Sequence, residues 1–121
     1  MSLLYLDNSA TTPVHPEVKD AMLPFLMEQF GNPSSKYYDY ADVAKSAVTD
    51  ARLAISKLLD CKTEEIIFTS GSTESNNFII KGITDQRKTS GKHIITTATE
   101  HPSVLETCKY LASIGFDLTI L

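Results

Sequence analysis

Three short apolar segments, at 65–69, 93–97 and 116–120, are separated by two stretches whose apolar residues recur at helical spacing. Strand, helix, strand, helix, strand is the pattern of a parallel α/β sheet with right-handed crossovers, since parallel neighbours need a long connection and a helix supplies it compactly. The first helix is expected over 73–87, followed by the turn Lys88-Thr89-Ser90-Gly91. The second is expected over 102–114, with Leu105, Cys108, Leu111 and Ala112 inward and Gly115 as its stop. A parallel sheet is covered on both faces and paired along its strands, whereas this chain stops at Leu121, inside the third strand. The expectation is therefore the front part of a larger protein, truncated in a strand.

Upstream, Asp7-Asn8-Ser9-Ala10-Thr11-Thr12-Pro13 is dense in turn formers. Pro16 suits a first helical position, and Val18, Ala21, Met22, Phe25 and Leu26 continue at helical spacing, with Pro24 expected to bend or shorten that helix. Phe30-Gly31-Asn32-Pro33-Ser34-Ser35 is a breaker. Beyond it a longer helix carries Ala44, Ala47, Val48, Ala51, Ile55, Leu58 and Leu59 on one stripe. Tyr37, Tyr38 and Tyr40 open that helix as expected packing residues with wet hydroxyls.

Composition excludes several functions. With 121 residues, 42% of them hydrophobic, the chain can bury one core and has no room for a second full domain. Its net charge is −4 and its lysines and arginines are scattered, which argues against nucleic acid as a partner. Apolar runs such as Ile66-Ile67-Phe68 and Phe78-Ile79-Ile80 fall far short of the roughly 20 residues that span a membrane. No signal peptide is visible. Cys61 and Cys108 lie far apart and outside any metal-ligand spacing, so neither a zinc site nor a disulfide is expected, and the default compartment is the cytoplasm.

The stretch Thr69-Ser70-Gly71-Ser72-Thr73-Glu74-Ser75-Asn76-Asn77 sits where a strand hands over to a helix, at the edge where α/β sheets collect ligands. Gly71 lets backbone approach, the free N–H groups of a first helical turn face outward, and Ser72 and Thr73 add hydroxyls, which together suit a phosphate. It is not a P-loop, since no lysine follows at the required spacing. The competing reading is a plain cap by Ser72 or Thr73 with Glu74 or Ser75 in the first turn. His101, in Thr99-Glu100-His101-Pro102, stands at the next strand-to-helix junction, within reach of a shared ligand or as a simple surface or capping residue. His15 and His93 are weaker candidates, and Cys61 and Cys108 read as buried thiols.

Four segments together carry a resemblance. Tyr5-Leu6-Asp7-Asn8-Ser9-Ala10-Thr11-Thr12-Pro13, Phe30-Gly31-Asn32-Pro33-Ser34-Ser35, Ile67 through Asn77, and Thr99-Glu100-His101 resemble, in order and over essentially the whole chain, the pyridoxal-phosphate cysteine desulfurases of the NifS/IscS type, within the class V aminotransferases. Gly71-Ser72-Thr73-Glu74-Ser75-Asn76-Asn77 and the Asn32-Pro33 loop are more similar to that branch than to the SufS and selenocysteine-lyase branch. The resemblance implies an incomplete piece of the large fold-type-I domain, α/β with a mainly parallel sheet and flanking helices: 1–15 as a segment with a substrate-side turn, 16–121 as the front part of the cofactor-binding domain. It implies that Ser72 and Thr73 hold the phosphate of pyridoxal 5′-phosphate, and that His101 stacks on its ring and acts catalytically in proton movement. It further implies a parent that converts L-cysteine to L-alanine, leaves a persulfide for a sulfur-accepting protein in iron–sulfur cluster assembly or thiolation, and forms a homo-oligomer. None of the nine lysines lies in the family's Ser-x-His-Lys context and neither cysteine matches its mobile-loop nucleophile, so the chain alone is expected to be inactive, with no metal site. The alternatives are a piece of another class V aminotransferase or selenocysteine lyase, or a non-catalytic module that self-associates through open sheet edges.

Overall fold

A computed structural model describes residues 4–121; the first three residues of the segment expected over 1–15 lie outside the described residues. The chain forms two compact units, divided after Ile66.

In the first unit, α1 (Pro16–Met27) starts on a proline whose missing N–H costs nothing at that position, with Glu17 favourably placed against the helix dipole. Pro24 does not end the helix at once. The chain runs on to Met27 and then turns on the Pro24 carbonyl, which accepts from the N–H groups of Glu28 and Gln29 at 2.9 and 2.7 Å. The apolar positions that recur at helical spacing stay largely open, Leu26 being 66% exposed.

The breaker over 30–35 has a side-chain cause: Asn32 Oδ1 accepts from the Ser34 N–H at 2.9 Å, and the Ser35 N–H bonds the Asn32 carbonyl. It leads into α2 (Asp39–Leu59), opened by Asp39 and Asp42 and closed by Asp60 in the left-handed region at φ 52°. Ala41 and Ala44 are buried, but the stripe fades along the helix, and Leu58 and Leu59 are exposed. Of the three tyrosines, Tyr40 packs its ring 5.7 Å from that of Phe30 and Tyr38 donates to Ser35 Oγ. Tyr37 is 92% exposed, contrary to the packing role expected of it.

Gly31 lies so close to the carbonyl of Tyr40 that any Cβ there would overlap its backbone oxygen and carbon. Gly31→Ala is expected to destabilise this unit by about 1–3 kcal/mol, as overpacking against backbone does, whereas Gly91→Ala, with open space around it, is expected to stay within about 1 kcal/mol. Denaturant midpoints of the two variants check this; equal midpoints would refute the close approach.

The expected strand over 65–69 does not form. Thr63–Glu65 make a 3₁₀ turn, pinned by the Lys62 N–H donating to the Glu65 carboxylate at 2.7 Å. Arg52 Nε then donates to the Ile66 carbonyl at 3.3 Å. Ile66 is extended, yet 66–69 meet no neighbouring strand among the described residues, and Ile67 and Phe68 remain exposed. Extended backbone becomes a strand only with a partner ladder.

The second unit holds α3 (Ser72–Arg87), β1 (His93–Thr96), α4 (Pro102–Ser113) and β2 (Asp117–Ile120). The strands are parallel, as expected, with His93 opposite Asp117 and Thr96 opposite Ile120. Bonds from Asp117 N–H to the Lys92 carbonyl and from Leu121 N–H to the Thr96 carbonyl extend the ladder at both ends. Helix α4 is the crossover between them. Its buried residues include Cys108 and Leu111, and Gly115 at φ 101° ends it in the conformation that glycine adopts without strain. Helix α3 packs on α4, while its own Phe78, Ile79 and Ile83 stay exposed.

Candidate functional site

Helix α3 begins at a turn organised by hydroxyls. Its N-cap is Gly71, at φ 159° and ψ −178°, so no side chain caps the helix. Ser72 and Thr73 occupy the first two helical positions instead, and the plain-cap reading of those two residues is not realised. Cap duty passes backwards: the Glu74 carboxylate accepts from Ser70 N–H at 2.6 Å and from Ser70 Oγ at 2.8 Å. Thr69 Oγ1 and Ser75 Oγ lie 2.7 Å apart, one hydroxyl donating to the other, and both lie near the Gly71 carbonyl, at 3.3 and 3.2 Å, where the hydroxyl whose proton is left over can donate. The turn is thereby held from within, while Ser72 and Thr73 are exposed and their hydroxyls are engaged by no other described residue. The N–H groups of Ser72, Thr73 and Glu74 precede the first intrahelical acceptor, and a Cβ placed on Gly71 would meet nothing within 4 Å.

Two free hydroxyls, three free amides and an open face at the positive end of a sixteen-residue helix form a donor set suited to a phosphate dianion. By that chemistry the residues fit the phosphate of pyridoxal phosphate.

The two hydrogen bonds from Ser70 favour the charged carboxylate and hold Glu74 below the ordinary glutamate range. The bonds therefore contribute fully above the unfolded value of about 4.3 and are lost as the pH falls through the lower folded one. The Ser70 amide resonance is expected to move with a midpoint below that of an exposed glutamate, and Glu74→Gln to abolish the movement. A midpoint at the ordinary value would show that Ser70 does not hold Glu74.

His101 caps α4. Its Nδ1 accepts from the Ser103 N–H at 3.1 Å and lies 2.8 Å from Ser103 Oγ. Asn76 Nδ2, one turn into α3, donates to the same Ser103 Oγ at 2.8 Å. This link between residues 27 apart ties the N-terminal ends of α3 and α4 together, so the Ser72-Thr73 turn and His101 belong to neighbouring helix starts of one unit. Sequence reasoning assigned no role to Asn76 or Ser103. The available signal was Ser103 two residues after a potential N-cap, the position whose N–H a capping side chain receives.

The other candidates lie elsewhere. His93 Nε2 is 2.8 Å from Thr119 Oγ1 across the two strands. His15 precedes α1 without a capping bond. The Asp7 turn is ordered by Ala10 N–H on the Asp7 carbonyl and Ser9 Oγ on the Asp7 carboxylate. Cys61 is half-buried, whereas Cys108 is fully buried, and burial, with Glu100 adding, pushes its thiol up from the ordinary value. A protonated, enclosed thiol is no nucleophile. A cavity of about 360 Å³ at the C-terminal ends of α3 and α4 is lined by Lys81, Lys88, Lys92 and Tyr110 among others, and includes none of Ser72, Thr73 and His101.

No helix among the described residues is long and apolar enough to cross a membrane. Among solved structures, a NifS-like protein superposes with a TM-score of 0.86 at 39% identity, covering 95% of this chain and 31% of that one. The structure of SspA in complex with cysteine gives 0.86 at 43% identity, covering 97% and 33%. Cysteine desulfurase IscS of Dictyoglomus turgidum is 51% identical over 118 residues, which make up 98% of this chain and 30% of that protein. Cysteine desulfurase IscS of Methanosarcina thermophila is 50% identical over 118 residues, 98% of this chain and 29% of that protein. The chain thus spans about 30% of the length of the curated relatives it matches. The family model for class-V aminotransferases matches residues 4–121, and the chain belongs to that family.

Proposed function

We propose that this chain contributes one wall of the pyridoxal-phosphate site of a cysteine desulfurase, an enzyme converting L-cysteine to L-alanine and handing the sulfur to an acceptor protein in iron–sulfur cluster assembly. The observation that carries the reading is the α3 N-terminus, with its free amides and the unengaged Ser72 and Thr73 hydroxyls, tied through Asn76 to the helix start that holds His101. When bound, the cofactor supplies the electron sink for the bonds that break at the substrate carbon. Ser72 and Thr73 bind its phosphate and so fix its position; His101 covers its ring and moves a proton as the catalytic residue this chain provides. Residues 1–15 supply a substrate-side turn, and 16–121 the front of the large domain. Ile66 is extended, and in the longer protein a strand of the remaining domain pairs with 66–69.

The reaction takes place in the cytoplasm, in a homo-oligomer. Support for self-association comes from exposed Phe78, Ile79 and Ile95 in the second unit. Light scattering is expected to give more than the monomer mass, and a stable monomer at micromolar concentration would overturn this part.

The cofactor assignment is tested by titrating the chain with pyridoxine 5′-phosphate and with pyridoxine, neither of which reacts with lysines. The phosphorylated compound is expected to bind at least roughly tenfold tighter, the equivalent of one charge-assisted hydrogen bond. Equal affinities would refute a phosphate site.

A further inference from the structure

We propose that Ser103, held in turn by Asn76, is a positioning residue that fixes the tautomer of His101 so that its ring carries its proton on Nε2. This rests on the reading of His101 as the proton-moving residue, and it assigns the atom at which it does so. Three bonds carry the inference. The Ser103 backbone N–H can only donate, and it points to Nδ1 at 3.1 Å. Asn76 Nδ2 can only donate as well, and it fills Ser103 Oγ from the α3 side at 2.8 Å. The single hydroxyl proton of Ser103 is then left for the remaining contact, Oγ to Nδ1 at 2.8 Å.

Nδ1 thus faces two donors and is the acceptor nitrogen, which in a neutral imidazole places the hydrogen on Nε2. Ser103 is 8% exposed, so water does not readily replace its hydroxyl, and the rest of α4's first turns hold it: Thr107 Oγ1 donates to the Ser103 carbonyl at 2.8 Å. The ring cannot turn over without placing a carbon against both donors. Proton exchange is thereby confined to Nε2, the nitrogen that the network leaves unused, and the orientation of the ring is set by α3 as well as by its own helix. Such outer partners commonly decide which histidine nitrogen works.

The test is ¹⁵N NMR of the histidine ring in the full chain without cofactor, at a pH well above about 6.5, where an ordinary imidazole is neutral. Nδ1 of His101 is expected to show the shift of an unprotonated, accepting nitrogen and Nε2 that of a protonated one. Ser103→Ala keeps the backbone donor and removes the hydroxyl, and should lower the Nε2–H to Nδ1–H ratio roughly threefold or more, the range of one hydrogen bond. Ser103→Thr should restore it, and Asn76→Ala should lower it by less. A proton on Nδ1 in the unsubstituted chain, or an unchanged ratio in Ser103→Ala, would overturn the proposal. Because no cofactor is present, failure here leaves phosphate-dependent binding of pyridoxine 5′-phosphate untouched; conversely, loss of that binding preference would remove the functional reading while the tautomer stood.

Discussion

Thr73→Ala is expected to weaken binding of pyridoxine 5′-phosphate roughly 10- to 150-fold, and Ser72→Ala by a similar factor, because each removes a hydroxyl donor from a dianion and such charge-assisted bonds are worth about 1.5–3 kcal/mol. His101→Ala in the same chain should cost only about fivefold, the scale of a ring contact near 1 kcal/mol. The order reverses for turnover in the longer protein. There His101→Ala should slow the reaction about 10²- to 10⁴-fold, since a proton-transferring group acts in the transition state. Titration calorimetry on the three variants measures the first set. A larger loss at His101 than at Thr73 would mean that the α3 turn does not carry the phosphate.

Mixed with L-cysteine and pyridoxal phosphate under reducing conditions, the 121-residue chain should form alanine no faster than a protein-free cofactor control. A chain extended to the full length of its relatives should exceed that control by orders of magnitude. The reason is chemical: the reaction needs a lysine linked to the cofactor and a thiolate to receive sulfur. Here no lysine lies in the Ser-x-His-Lys context, and Cys108 is buried and held protonated. Alanine above the control from the 121-residue chain would refute this account of where the covalent chemistry resides.

The legible parts of the fold are those governed by local rules. Gly115 terminates α4, Pro16 and Pro102 start helices, and β1 and β2 pair in parallel around α4, as the change of hydrophobic period implies. What depends on partners is less legible. The β-branched and aromatic run at 66–69 has the composition of a strand, yet strand identity belongs to a pair of segments, and here Ile66 meets a helix-side arginine instead. The stripe from Ala44 to Leu59 likewise announces a buried face, but burial is a property of what covers it, and Leu58 is 83% exposed. At the site, the donors at Ser72 and Thr73 follow from helix termini having unpaired N–H groups, so the turn is readable from residue types alone. Asn76 and Ser103 are not. Their bond joins residues distant in sequence and depends on how α3 packs against α4, which no periodicity encodes.

The measurement that bears most directly on the phosphate cradle is an amide ¹H–¹⁵N map of the chain titrated with pyridoxine 5′-phosphate. The largest shifts should fall on Ser72, Thr73 and Glu74, the amides left free at the start of α3, with a smaller response in the first turn of α4 beside His101. Shifts centred instead on Lys81, Lys88 and Lys92, where basic side chains line the cavity at the other ends of the helices, would contradict the assignment.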